Sequence, residues 1–329
     1  MFLGAADQGA VRANLQQMLP EHAGGAFENV TRGSRLVGEI LADPHPPVTD
    51  KGGLGFWAQQ VAWGTSKSIG STSSYDITGW GASLGVEHPL GGAGSVGLSL
   101  AYLSGKDSKH DNELLSSQFE GSLYWRGTFG HFHAFARGTA GTIHFNGTRV
   151  FNGTVGGQAV TREADGKWNG RLYSASGGLS YEFRSGRLTI RPNALVEYYR
   201  LKEKGYSEHG GGAAFDLIVD GRSSDETAAE GNLAVGYDLL GQDPDSDWMR
   251  VELEGGRRQI LSGSLGKTTA HFEGGNAFTL TPEDRTDGWR GGVRLTGGGP
   301  NLTLTGEVNA EEQQGHMSLG GRAGLQFNF

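Results

Sequence analysis

The chain contains no cysteine in 329 residues, so neither a disulfide framework nor a thiolate metal site can organise it. No run approaches the ~18 consecutive apolar residues that a membrane-crossing helix requires, and mean hydropathy is −0.40, which excludes a helical membrane protein. Hydrophobic residues make up only 36% and charged residues 19%. The net charge is −8 and no basic stripe stands out, so a nucleic-acid partner is not expected. Phosphate-loop and zinc spacings are missing, and no cofactor is implied. The opening residues Met1 to Asp7 lack both the basic region and the long apolar core of a secretory signal, so if the chain is exported it is expected to be a fragment or to have a misplaced start.

Glycine is what the chain has in abundance: 58 residues, without the every-third spacing of collagen. Together with alternating apolar and polar positions it points to a glycine-tolerant β architecture. The alternation is plainest at the carboxyl end, where Phe329, Phe327, Leu325, Ala323, Gly321, Leu319 and Met317 share one parity. Asn328, Gln326, Gly324, Arg322, Gly320, Ser318 and His316 share the other. A wall with one continuously apolar face can carry a low mean hydropathy, because lipid-facing and lumen-facing residues alternate in a membrane barrel.

About twelve such segments follow one another. They run Gly53–Trp63, Tyr75–His88, Ser95–Gly105, Leu114–Phe129, Phe132–Phe145, Trp168–Phe183, Arg187–Leu201, Thr227–Leu239, Asp247–Ile260, Asp287–Thr296, Asn301–Ala310 and Gly315–Phe329. An even number closes into a barrel without an edge. Short connections such as Phe129–His131 and Arg184–Arg187 interleave with long ones at Gly64–Ser74, Lys106–Glu113, Asn146–Lys167, Lys202–Glu226 and Ser262–Thr286. Bacterial barrels place short turns in the periplasm and long loops outside. Parity points Glu120, Arg126, Arg191, Glu197, Arg250, Glu252, Arg290, Arg294 and Glu307 inward, where charges need water or partners. Phe129, Phe183, Trp248 and Phe329 on the turn side, with Trp63, Tyr102, Tyr173 and Trp289 on the loop side, read as two aromatic girdles.

Residues 8–42 do not read as strand. Gln8–Leu19 and Phe27–Leu41 are helix-compatible, separated by Pro20 and Gly24-Gly25 and ended by Asp43-Pro44-His45-Pro46-Pro47. In the second helix Phe27, Val30, Leu36 and Ile40 are too few for an oily stripe, and Glu28, Arg32, Arg35 and Glu39 spread charge around it. A helix polar nearly all round requires polar surroundings. Those four charges are therefore expected to meet the inward charges of the wall.

The segment Gln17 to Phe27, the polar helix after it, Gly55-Phe56-Trp57-Ala58-Gln59 opening the first strand, and a terminal Phe together resemble the C-terminal translocator domain of type Va autotransporters. The resemblance implies an all-β transmembrane barrel of about 12 antiparallel strands, its lumen plugged by an N-terminal linker helix. Residues 1–48 would be passenger remnant and linker helix, and residues 49–329 the outer-membrane barrel. Arg322, Gly324, Phe327 and Phe329 would form the signal read by the barrel assembly machinery. The implied setting is the bacterial outer membrane, with the N-terminal side exposed at the cell surface. The implied partners are outer-membrane lipids, lipopolysaccharide and the chain's own N-terminal passenger, which the few residues before the helix do not supply. A monomer with no enzymatic activity is expected.

Some members of that family cleave the linker at an asparagine; Asn29 occupies the corresponding region but lacks a paired asparagine, since Val30 follows it. Its expected role is a hydrogen bond to the lumen wall. Gly81-Ala82-Ser83-Leu84-Gly85 fits the nucleophile-elbow pattern, yet it falls inside an alternating strand rather than at a strand-to-helix turn. His131 and His133 share a face but lack a third metal ligand. Two rival classes remain: a passive porin, which would lack the plug, and a barrel enzyme of the phospholipase or omptin type, which would need a convergent Ser/His or Asp/His set.

Overall fold

A computed structural model describes residues 14–43, 53–69, 73–109, 112–155, 158–241, 246–313 and 315–328. Twelve antiparallel strands form the wall. They are β1 (Gly55–Ile69), β2 (Ser73–Pro89), β3 (Ser95–Lys109), β4 (Asn112–Phe129), β5 (Phe132–Val155), β6 (Gln158–Tyr181), β7 (Leu188–Glu203), β8 (Arg222–Leu240), β9 (Trp248–Ser264), β10 (Gly288–Gly299), β11 (Leu302–Gln313) and β12 (His316–Asn328). Each pairs with its sequence neighbour, and β1 pairs with β12 from Gly55↔Asn328 to Thr65↔Ser318, which closes the ring. Closure satisfies every ladder and leaves no edge, the condition for a sheet to cross lipid. Tight turns join strands at one end: Gly130 (φ 64) and Gly186 (φ 57) take up left-handed backbone that other residues rarely adopt.

The pleat sorts the side chains as the alternation requires. On β4, Phe119 and Leu123 are 57% and 60% exposed on the outer face, whereas Glu120 and Tyr124 are 3% and 2% exposed on the inner face. On β11, Leu304 and Val308 face out while Thr305, Glu307 and Asn309 are buried inside. The exposed leucines, valines and phenylalanines lie where lipid would cover them, which is the reverse of a soluble protein's surface.

Three expectations are corrected. The supposed loops 64–74, 106–113 and 146–167 are ladder: β1 and β2 stay paired to Ile69↔Ser73, β3 and β4 to Lys109↔Asn112, and β5 and β6 continue as a ribbon paired from Asn146↔Lys167 to Val155↔Gln158. Beyond the apolar band neither face meets lipid, so these stretches lack the oily alternation that marks the wall. The loops at 202–226 and 262–286 are also partly sheet, because Tyr206–Ser207, Leu217–Val219, Thr268–Phe272 and Phe278–Leu280 form a small four-stranded sheet at the mouth. Finally, Trp63 and Trp248 are buried, 5% and 8% exposed, and belong to no outer girdle. The turn-side belt instead contains Trp125 stacked on Phe129, and Tyr181 in contact with both Phe132 and Phe183.

Helix α1 (Gly25–Gly38) and the 3-10 turn Glu39–Ala42 that extends it lie inside the ring. Every residue from Gly25 to Val37 is buried. At ~1.5 Å per residue the two together are ~27 Å long, about the height of the apolar band. A single helical turn at 14–17 precedes them and ends before Met18, short of the Leu19 expected; residues 8–13 of that expected helix, the Pro44–Pro47 terminator and Phe329 lie outside the described residues.

Candidate functional site

The filled lumen is the candidate site, and it has two unlike halves. One half is apolar. Phe27 packs with Leu114, Ile143, Phe145 and Leu172; Leu36 and Val37 pack with Val61, Trp63 and Leu103; Ile40 and Leu41 pack with Trp57 and Tyr124. The polar-surroundings expectation is corrected accordingly, because six large apolar residues, Phe27, Val30, Leu36, Val37, Ile40 and Leu41, suffice when strands β1 to β7 turn aromatic and aliphatic side chains inward to meet them. Glycine makes room for these rings. A Cβ at Gly79 would lie 2.2 Å from Trp63, one at Gly85 2.3 Å from Trp57, and one at Gly97 2.3 Å from Tyr124. Gly33 on the helix lets Trp63 approach, since a Cβ there would come within 2.8 Å of the indole.

The other half is ionic. Glu28 bonds Arg285 at 2.5 Å and Arg35 at 3.4 Å. Arg32 pairs with Glu311, and Arg35 reaches the same carboxylate at 3.5 Å. Glu39 accepts from Arg290 at 2.6 Å and from Asn309 at 3.2 Å. Asp43 accepts from Arg322 at 2.5 Å, with Arg294 3.6 Å away. Helix carbonyls take further donors from the wall: Gln59 donates to Val37, Arg137 to Ser34, and Arg126 to Ile40, at 2.8, 3.0 and 3.4 Å. Asn29 donates to Ser116 Oγ at 3.0 Å, above Gly105, where a Cβ would fall 1.9 Å from the asparagine oxygen.

Of the nine inward wall charges singled out by parity, Arg126, Arg290 and Arg294 reach the helix segment directly. The others are held by the wall itself. Glu120 bonds Arg137 at 3.2 Å and so touches the helix only through it. Arg191 bonds Glu252 at 3.1 Å, Glu197 faces Arg258 at 3.4 Å, and Arg250 bonds Asp238 at 2.6 Å. Glu307 sits between Arg294 and Arg322, 2.8 Å from each. Arg322, expected to serve the assembly signal, is a buried lumen residue bonded to Asp43 and Glu307, while Gly324 and Gln326 lie beside it on the inner face. Phe327 is paired opposite Phe56 on β1. Sequence reasoning missed Glu311, Arg137 and Arg285. Glu311 shares the parity of Glu307 and Asn309, and extending that strand past Ala310 finds it. Arg285 lies between strands, where no periodicity marks it.

At the mouth the long connections grip the chain that leads into the helix. Arg222 binds Glu21 at 2.5 Å and Glu203 at 2.7 Å, while Glu21 also accepts from Gly25 N at 2.9 Å. Burial raises the Glu21 pKa, but the charge of Arg222 and its hydrogen bonds outweigh this and hold the carboxyl below its usual range. Arg149 donates to the Gln17 carbonyl at 3.1 Å, and the Asn152 amide to the Gln17 side chain at 2.8 Å. Leu265 covers Gly24, whose φ of 83° opens the helix.

No catalytic constellation is built from the remaining motifs. Ser83 lies mid-strand on the buried inner face of β2, so the strained turn a nucleophile elbow needs is absent there. His133 shares a hydrogen bond with Thr128, and no group of three potential metal ligands exists among the described residues.

Comparison with known proteins converges on one fold. The Autotransporter beta-domain family model matches residues 56–309. An extracellular serine protease of Serratia marcescens is 26% identical over 221 residues, covering 66% of this chain and 19% of that relative, so the chain corresponds to a small part of that protein's length. The translocator domain of autotransporter NalP from Neisseria meningitidis superposes with a TM-score of 0.68 at 14% identity, covering 92% of this chain and 96% of that one. The beta domain of the Bordetella autotransporter BrkA gives 0.56 at 16% identity, over 84% and 100%. The family model spans most of the chain and the solved folds share its closed barrel, and the chain belongs to the Autotransporter beta-domain family.

Proposed function

We propose that the chain is an outer-membrane translocator that exports or anchors a passenger joined to the amino end of its lumen helix. One observation carries this reading. A mixed polar and apolar helix lies wholly within a closed barrel, its amino end held at the long-loop mouth by Arg222 and the residue that follows its far end, Asp43, held by Arg322 of the closing strand. Because long loops face outward in bacterial barrels, the segment before Gly25 emerges at the cell surface. Lipids cover the outer face, the barrel assembly machinery inserts the wall, and each barrel acts as a monomer. The domain works by shape and charge rather than by bond chemistry, a reading supported by the mid-strand setting of Ser83.

The test places a reporter domain, behind a secretory signal, upstream of the chain in a Gram-negative host. Protease added to intact cells should remove the reporter and leave the barrel. A reporter retained in the periplasm refutes export. Planar-bilayer conductance with and without residues 1–47 separates a plugged translocator from a porin, because a porin conducts equally in both forms.

A further inference from the structure

Five cations crowd one sector of the outer wall, in a chain whose net charge is −8. Lys167 and Arg171 on β6, and Arg200 and Lys202 on β7, with Lys204 just past its end, all project outward and are exposed. The register puts Arg171 opposite Lys202 and Tyr173 opposite Arg200, so the charges form a patch across the two strands rather than a scattered set. Among the described residues none of the five forms an ion pair. Arg200 makes one long contact, 3.4 Å to Ser223 Oγ, and Asp225 stands opposite it in register without reaching it. On β3, three strands from β6, the outward Lys106 is by contrast neutralised by Glu113.

The level of the patch identifies what it faces. Along β7 the outward side chains run Leu188, Ile190, Pro192, Ala194, Val196 and Tyr198 before the first cation, Arg200. From Leu188 to Tyr198 is ten steps, which at ~3.3 Å per residue and a tilt of ~40° spans ~25 Å, the full height of the apolar band. Tyr173 and Tyr198 therefore mark the interface, as membrane tyrosines do, and the cations begin in the first layer above it on the long-loop side. Groups at that depth lie level with lipid headgroups, too deep for a soluble partner.

We propose that this patch binds the phosphates of the outer leaflet's phosphorylated glycolipid, lipid A, with Arg171, Arg200 and Lys202 as the principal donors and Tyr173 and Tyr198 against the acyl chains. Guanidinium groups suit phosphate because their forked donors engage two oxygens at once. The proposal rests on the long-loop end being the outer end, as the translocator reading has it. Binding is nonetheless read on the purified barrel, independently of export.

Native mass spectrometry of the full chain in detergent would be titrated with bisphosphorylated lipid A, dephosphorylated lipid A and phosphatidylglycerol. Wild type should bind the bisphosphorylated form preferentially. The triple variant Arg171→Gln/Arg200→Gln/Lys202→Gln should weaken it by about a hundredfold, at roughly a factor of five per headgroup-level cation. The control Lys106→Gln/Arg257→Gln, which changes outward cations elsewhere on the wall, should bind as wild type. Should the triple variant fail to fold, the phosphorylated-against-dephosphorylated contrast on wild type decides. Equal binding by the triple variant, equal loss in the control, indifference to lipid A phosphorylation, or equally tight phosphatidylglycerol would each overturn the proposal. A wild-type chain that displays the reporter but shows no lipid A binding would count against the patch alone; one that binds lipid A but displays no reporter would count against the translocator reading alone.

Discussion

Glu311→Gln is the substitution that best isolates what holds the helix in the lumen. Glu311 is 4% exposed and receives both Arg32 and Arg35, themselves 3% and 7% exposed. Without its charge Arg35 retains Glu28 at 3.4 Å, but Arg32 is left with the neutral Asn309 oxygen at 3.4 Å. Removing one partner of a buried ion pair costs about 3–5 kcal/mol, because the other charge stays desolvated and uncompensated. That penalty falls only on the state with the helix seated. The fraction of time the helix spends unseated should therefore rise by about two to three and a half powers of ten, at ~1.4 kcal/mol per decade. The absence of native cysteine permits a clean probe. Ser34→Cys sits on the fully buried helix face, and the serine hydroxyl makes no hydrogen bond that the thiol would forfeit. Its labelling by a polar maleimide should be slow in the parent and faster by that factor in Glu311→Gln. The pair Arg32→Met/Glu311→Met should label nearly as slowly as the parent, since an apolar pair of similar volume replaces the ionic one at little cost. If Glu311→Gln labels at the parental rate, the ionic half of the lumen does not hold the helix and the reasoning fails.

Gly105→Ala should destabilise by about 1–3 kcal/mol through overpacking against Asn29, and Asn29→Ala in the same chain should restore much of the loss; a melting temperature unmoved by the single change would show that Asn29 can swing aside. Glu21→Gln should lower the melting temperature at neutral pH. Because the folded carboxyl is held below its usual range, that contribution is complete above the ordinary carboxylate pKa and disappears as pH falls through the depressed value, so the gap to wild type should close in acid. A gap independent of pH would mean the contact with Arg222 is not ionic in effect. Spin labels placed singly from Leu188 to Leu201 should alternate between lipid and lumen with period two, and a period of 3.6 would refute the wall assignment.

The wall was legible in the sequence because lipid imposes a rule at every second residue. Leu302, Leu304 and Val308 against Thr303, Thr305 and Glu307 can be sorted by eye, and the strands so found overlap all twelve that form. Where lipid ends, so does the rule. The ribbon formed by 146–155 and 158–167 is as well paired as the wall, yet its residues obey no apolar alternation, and the same holds for the small sheet at the mouth. The lumen was half legible. Inward parity found the charges, but parity names no partner. Arg126 lies 2.8 Å from Glu87 and Arg294 the same distance from Glu307, and nothing in the spacing of the sequence distinguishes such wall pairs from the bond between Arg290 and Glu39.

The apolar half of the lumen was hidden for a different reason. Trp57, Val61 and Trp63 share β1 with an outer row that includes Phe56, Ala58 and Ala62, so both faces of that strand carry apolar residues and parity cannot say which is inside. Apolar contact of this kind is non-directional and would hold many greasy helices in many rotations. The ionic half differs, because Glu28, Arg32, Glu39 and Asp43 meet opposite charges at fixed heights along the wall. A helix turned by a third of a revolution would bury those four charges against Trp63, Leu103 and Phe145 without partners. The buried pairs therefore select one seating more than they add net stability. That division suits a helix that must enter the barrel and then stop: the oily side supplies adhesion, and the charged side supplies the one register in which adhesion is complete.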